Sequence, residues 1–195
     1  GDAFDPETWK PRVPTAAYME MRADDAFWAA RRVMAFSDDL IRAIVKVGQY
    51  SDPAAEKYLA DVLIKRRDKI GKAYLTMLNP VVDPALDASG ALTFANAAVQ
   101  HGVASAPRGY AARWYGFDNA TGESRPLGET SGAGTTQQAP AALPGAPGAY
   151  VRVDISADHP QYANWKQPVQ AYFVRHAAGW KLVGLERMAD GPPAK

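Results

Sequence analysis

The spacing of apolar residues changes near position 90, from a helical rhythm to a two-residue alternation. Upstream, the pattern predicts three helices. The first runs from about Asp24 to Ala35, with Asp24 or Asp25 as its cap and Phe27, Ala30 and Met34 at helical spacing. The second starts at Ser37, a good N-cap, and Asp38 and Asp39 place negative charge at the positive end of the helix dipole. Phe36 and Ile41 stand where a hydrophobic staple forms. Leu40, Ile41, Ile44 and Val45 supply its apolar face, and Gly48 suits the left-handed C-terminal position. The third begins with Asp52 as cap and Pro53 in the first helical position, where its missing N–H costs nothing. It is expected to reach about Leu78, where "NPVVDP" stops it, with Gly71 as a weak point. Residues 1–22 read as an extended arm, because Pro6, Pro11 and Pro14 disfavour helix before them; Trp9, Tyr18 and Met19 are expected to pin it to the body.

Downstream, "ALTFANAAVQ", "GYAARWYGF" and "AYVRVDIS" read as strands. "DNATG" is turn chemistry after the second of these. "PVQAYFVRHAAGWKLVGLER" reads as a hairpin turning at "HAAG". Thr130 to Gly148 is almost wholly small, polar or proline residues and is expected to be a mobile loop. The fold class is therefore α+β: a helical segment at 23–82, of about three helices, packed with a C-terminal antiparallel sheet or sandwich at 91–190. The sheet is expected to hold about five to seven strands and to resemble immunoglobulin or fibronectin modules in pattern only. "NPVVDPALDASG" is the natural boundary.

The 195 residues suffice for one good core or two small ones. A net charge of +1 exerts no global pull on nucleic acid or anionic lipid, although a local patch is not excluded by it. No apolar run is long enough to insert in a membrane. The absence of cysteine excludes disulfides, thiolate metal sites and cysteine nucleophiles. The first residues lack the apolar stretch of a signal peptide, and Gly1 in place of Met points to a missing upstream signal or upstream domains.

The densest charge feature is Lys65, Arg66, Arg67, Lys69 and Lys72. On a helical wheel these scatter around the axis, and Asp61–Lys65 and Asp68–Lys72 are spaced to pair in the favourable acid-first order. The cluster thus reads as a solvated face with no nucleic-acid role. Arg66 projects into the apolar face formed by Leu59, Val62, Leu63, Ile70, Ala73 and Met77. A buried guanidinium must be paired, so Arg66 is expected to be a charged pin reaching a carboxylate or carbonyls between helices and sheet.

Candidate chemistry is sparse. His101, His159 and His176 have no metal-ligand spacing, and neither a nucleophile elbow nor a phosphate loop is present. No catalytic residue, metal site or cofactor is assigned. Asp158 beside His159 reads as loop, and the Asn119 glycosylation pattern as a turn. Trp165, Tyr162, Trp180 and Trp114 are the candidate binding rings for a glycan, against the alternative that they fill the core. Trp165 lies in the polar stretch "HPQYANWKQP", where a large ring is expected to be exposed. Scattered carboxylates, Asp118, Asp154 and Glu186, would be the material of a hydrolase.

The words "DAFWAARRV", "FSD", "IVKVGQYSDP" and "LIKRRDKI", with "GWKLVGLER" further on, make most of the chain resemble a region near the C-termini of larger, uncharacterised, exported bacterial proteins. The resemblance implies upstream domains of a parent protein as partners and an extracytoplasmic location, periplasmic or secreted, and carries over no functional residue. The reading that results is a non-catalytic interaction or accessory module that binds a protein or polymer or stabilises its parent, with glycan binding and hydrolysis as alternatives.

Overall fold

The computed structural model describes residues 1–13, 15–140 and 142–187; Pro14, Ala141 and the last residues of the expected 91–190 span lie outside them. The second and third expected helices start where Ser37 and Asp52 cap them, whereas the first begins after Arg22, which puts Asp24 and Asp25 within its first turn and not at its cap. A short α1 (Ala16–Met19) precedes α2 (Ala23–Met34), where the Asp25 carboxylate accepts from the Arg22 N–H at 3.0 Å. In α3 (Asp38–Lys46) the Ser37 hydroxyl accepts from the Leu40 N–H at 3.1 Å. In α4 (Pro53–Leu75) the Asp52 carboxylate accepts from the Ala54 N–H at 2.8 Å. α4 passes through Gly71 unbroken. That glycine is buried against α2, and a Cβ there would collide with the Met34 side chain.

The β part comprises β1 (Val81–Leu86), β2 (Ala91–Asn96), a one-turn α5 (Ala97–Gln100), β3 (Gly109–Phe117), β4 (Ser124–Gly132), β5 (Thr136–Gln138), β6 (Tyr150–Asp158), β7 (Val169–His176) and β8 (Gly179–Arg187). They form two antiparallel sheets, β1-β2-β5 and β4-β3-β6-β7-β8. Alternation puts Tyr110, Ala112 and Trp114 of β3, Val151, Val153 and Ile155 of β6, and Val169, Ala171 and Phe173 of β7 on the inner face. The sheets also adjoin at both ends, β1 beside β8 and β4 beside β5. These seams are closed by side chains. Gln137 of β5 accepts from the Thr130 hydroxyl of β4 at 2.8 Å and donates to the Tyr110 carbonyl at 3.1 Å, while Thr130 accepts from Trp114 Nε1 at 2.9 Å.

Helices and sheets share one core. Phe27 and Ala30 of α2 and Leu75 of α4 lie in a single buried cluster with residues of both sheets; α3 packs on α4 through a small satellite of Ile41, Val45, Ala60 and Ile64. Two expectations are corrected here. The proposed boundary "NPVVDPALDASG" contains β1, whose Val81 and Val82 are fully buried. Pro84 and the left-handed Asp83 (φ 52°) sit at a register shift, which is how a strand accommodates residues that read as breakers. The expected loop at 130–148 contributes the end of β4 and all of β5. That segment is held by hydrogen bonds through Gln137 and Thr130, with only Ala139 and Leu143 packing on the core, so hydropathy scarcely reveals it.

Candidate functional site

α3 carries two apolar stripes. Ile41 and Val45 turn inward to the satellite core. Leu40, Ile44 and Val47, spaced i, i+4 and i+7, are 45%, 51% and 80% exposed. The expected single face of Leu40, Ile41, Ile44 and Val45 is thereby split in two. Between the helices lies a groove of about 300 Å³, lined by Val33, Phe36, Ile41, Ile44, Leu63 and Arg67 and presenting no polar surface. Phe36, the expected staple residue, is exposed at this groove. Arg67 closes the rim. Its guanidinium donates to the Phe36 carbonyl at 2.7 Å, to Asp38 at 2.6 Å and to Asp68 at 2.7 Å, and its side chain is 12% exposed. With its charge compensated by two carboxylates, the arginine presents its stem to the groove.

The expected role of Arg66 is corrected. Arg66 is exposed, and its guanidinium lies over the Phe4 ring at 5.3 Å. The residue beside it, Arg67, faces the helix interface. A charged pin between helices and sheet does exist, but it is Arg187 at the end of β8. Its guanidinium lies over Phe27 of α2 at 4.5 Å, donates to the Asn79 carbonyl at 3.4 Å and also donates to the Val81 carbonyl. Burial, with Arg31 nearby, pushes its pKa down to about 10. The acid-first pairs are corrected as well: Asp61 binds Lys57 and Arg42, and Lys65 binds Asp2.

The four nominated rings do not form a platform. Trp114 is fully buried in the shared core. Trp165, expected to be exposed, is fully buried too, because the polar stretch around it is a cap for α4. In a 3₁₀ turn (Ala163–Lys166), Trp165 Nε1 donates to the Thr76 carbonyl at 3.1 Å, and Asn164 donates to the Thr76 and Met77 carbonyls. Side chains from across the molecule thus satisfy the carbonyls that a helix end leaves open. Tyr162 stacks on Trp165 with ring centroids 4.8 Å apart. Trp180 is half-buried at β8, under the Arg175 guanidinium at 5.5 Å.

His159 lies buried between Tyr162 and Trp165. Its Nε2 is 3.1 Å from the Ser105 hydroxyl, a spacing that suggests a nucleophile and its base. The other ring nitrogen decides against this. Nδ1 accepts from the Gln161 N–H at 3.1 Å, so in the neutral ring the proton sits on Nε2 and is donated to Ser105. A base needs its lone pair on that atom. His176 is exposed at the β7–β8 turn, and His101 loses its proton more readily than usual because of burial and of Arg31 and Arg67.

The carboxylates Asp118, Asp154 and Glu186 are not brought together. Asp118 accepts from Ala120 and Thr121 N–H groups in the β3–β4 turn. Asp154 lies four positions along β6 from the Phe117–Tyr150 pair, about 13 Å away at strand rise, and Gln170 stands between it and Glu186. Asp154 is itself unusual. It is buried on the polar outer face of the five-stranded sheet, its Oδ1 2.9 Å from Arg152 Nε, with neither atom engaged in a well-directed hydrogen bond. Arg152 is held over the Tyr115 ring at 4.4 Å and donates to Ser124 at 3.1 Å. Burial raises the Asp154 pKa, with Arg152 opposing. Among the described residues no group of three or more His, Cys, Asp or Glu is placed to hold a metal, and no helix is long and apolar enough to cross a membrane. Comparison with family models, curated proteins and solved structures yields no match.

Proposed function

We propose that this chain is a non-catalytic interaction module of a larger, exported bacterial protein, and that it engages a protein partner through the groove between α2, α3 and α4. The observation that carries the reading is the second apolar stripe of α3. A nine-residue helix needs one apolar row to hold to α4, and Ile41 and Val45 are that row. Leu40, Ile44 and Val47 form a second row facing water, continuous with Phe36 and Leu63 at the groove. Contiguous exposed apolar surface of this kind marks contact sites. The wall has no polar surface and the rim arginine is neutralised, so the matching chemistry is the aliphatic face of a partner's amphipathic helix. A sugar would leave its hydroxyls unpartnered there.

The test is a photo-reactive residue at position 44 of the protein in cells that make it. The expected result is one dominant protein adduct, lost when Leu63→Glu is added. Adducts that are scattered and indifferent to Leu63→Glu would defeat the reading. An adduct only to a second copy, together with a dimer of the isolated chain in sedimentation, would replace a foreign partner with self-association.

A further inference from the structure

The other side of α4 is already occupied, by the N-terminal arm, and the manner of occupation points to a second docking surface that does not use the groove. Three basic residues of α4 reach one short stretch of arm. Lys65 pairs with the Asp2 carboxylate at 3.0 Å. Lys69 donates to the Asp2 carbonyl at 2.6 Å and the Phe4 carbonyl at 2.8 Å. Arg66 covers the Phe4 ring, and the Tyr74 hydroxyl donates to the Pro6 carbonyl at 2.6 Å. The basic cluster of α4 is therefore largely engaged, by a segment carrying an acid and, two positions on, an aromatic ring.

The arm is a light occupant. Among its described residues none is buried, so it contributes nothing to either core. Of the residues expected to pin it, Trp9 and Met19 are exposed, and Tyr18, which is half-buried, donates to the Trp9 carbonyl and packs edge-on against that ring. Its hold rests on one exposed ion pair, Lys65–Asp2, worth little in water, on the Arg66 contact with Phe4, and on bonds to its own main-chain carbonyls, which are independent of side-chain identity. Nor does it fill the site. A cleft of about 400 Å³ remains between arm and helix, bounded by Phe4, Pro6, Lys69, Lys72 and Tyr162. Tyr162, nominated from sequence as a binding ring, forms part of that wall.

The arm, expected to be extended, turns instead, with the Phe4 N–H donating to the Gly1 carbonyl and the Trp9 N–H to the Asp5 carbonyl. We infer that this side of α4 is a seat for a short, turned acidic peptide segment with an aromatic residue two positions after its acid, and that the arm holds the seat in cis. Lys65 takes the acid, Arg66 the ring, Lys69 the carbonyls of the acid and ring residues, and Tyr74 a carbonyl two positions beyond the ring. Tethering gives the arm an effective concentration in the millimolar range, so a competing segment must bind well or the arm must be weakened.

The probe is an end-blocked, fluorescent peptide of residues 1–8, followed by anisotropy. The expected result is binding to the Asp2→Lys/Phe4→Ala chain at least about tenfold tighter than to the unchanged chain, weakening as salt rises. Adding Lys69→Glu should reduce it by about tenfold or more, and a shuffled peptide should bind poorly. Near-UV circular dichroism checks that each variant keeps its aromatic packing. Equal binding to both chains, or binding indifferent to Lys69→Glu, overturns the inference. So does a concentration-dependent dimer of the unchanged chain that the arm changes abolish, because the seat would then serve arm exchange between copies.

Discussion

The shared core and the α3 corner use apolar residues in opposite ways. In the core, Trp114, Trp165, Phe27 and Phe173 are almost completely covered, and even polar neighbours such as Asn79 and Gln137 are hydrogen-bonded. At the corner, the covered cluster is four residues, and comparable aliphatic side chains stay in water around it. Hydrophobicity alone therefore does not report stability in this chain. What matters is whether a second element arrives to cover the side chain. Where none does, the same residue types become contact surface.

Substitutions on each side sharpen the contrast. Trp165→Ala should be the most damaging, removing a fully buried ring and one of the two donors to the Thr76 carbonyl, with a loss of about 3–5 kcal/mol in urea unfolding. Arg187→Ala should follow at about 2–4 kcal/mol, since two carbonyls and the face of Phe27 lose their partner; Arg187→Lys should recover only part, lacking the planar fork. Asp154 gives a smaller, pH-dependent effect. Its native pKa is raised above the ordinary 3.8, so its favourable contribution is complete below 3.8 and lost as pH rises through the native value. Unfolding midpoints of Asp154→Asn should lack that acid-side gain relative to the unchanged chain. Ile44→Glu should cost least, within about 0.5 kcal/mol, because its side chain is already half in water. A large loss at Ile44, or none at Trp165, would erase the distinction between the regions.

Much of the architecture was legible. Ser37, Asp52 and Pro53 mark helix starts through local chemistry, and the two-residue alternation in β3, β6 and β7 identifies strands buried on one face. What was not legible depends on partners distant in the chain. β5 has no apolar pattern because its stability comes from Gln137, whose partners lie on β3 and β4. Arg66 and Arg67 differ by about 100° on the helix. The wheel placed the wrong one at an interface because it assumed that the longest apolar face meets the sheet; α3 in fact takes one side and the arm another. Trp165 looked exposed since its neighbours are polar, and those polar neighbours are helix-capping groups. The groove had a readable signal: α3 holds more large aliphatics than one face can bury.

The capping of α4 has a consequence for biosynthesis. The helix that ends at Leu75 is closed by Asn164 and Trp165, and the strand after it is clasped by Arg187. A ribosome releasing the chain in order must expose the front half, unfinished, until the residues that close it, up to Arg187, have been translated. Nascent chains halted before Ala163 should stay protease-sensitive through α4, and termination within β7 or β8 should yield degradation in place of a smaller folded fragment.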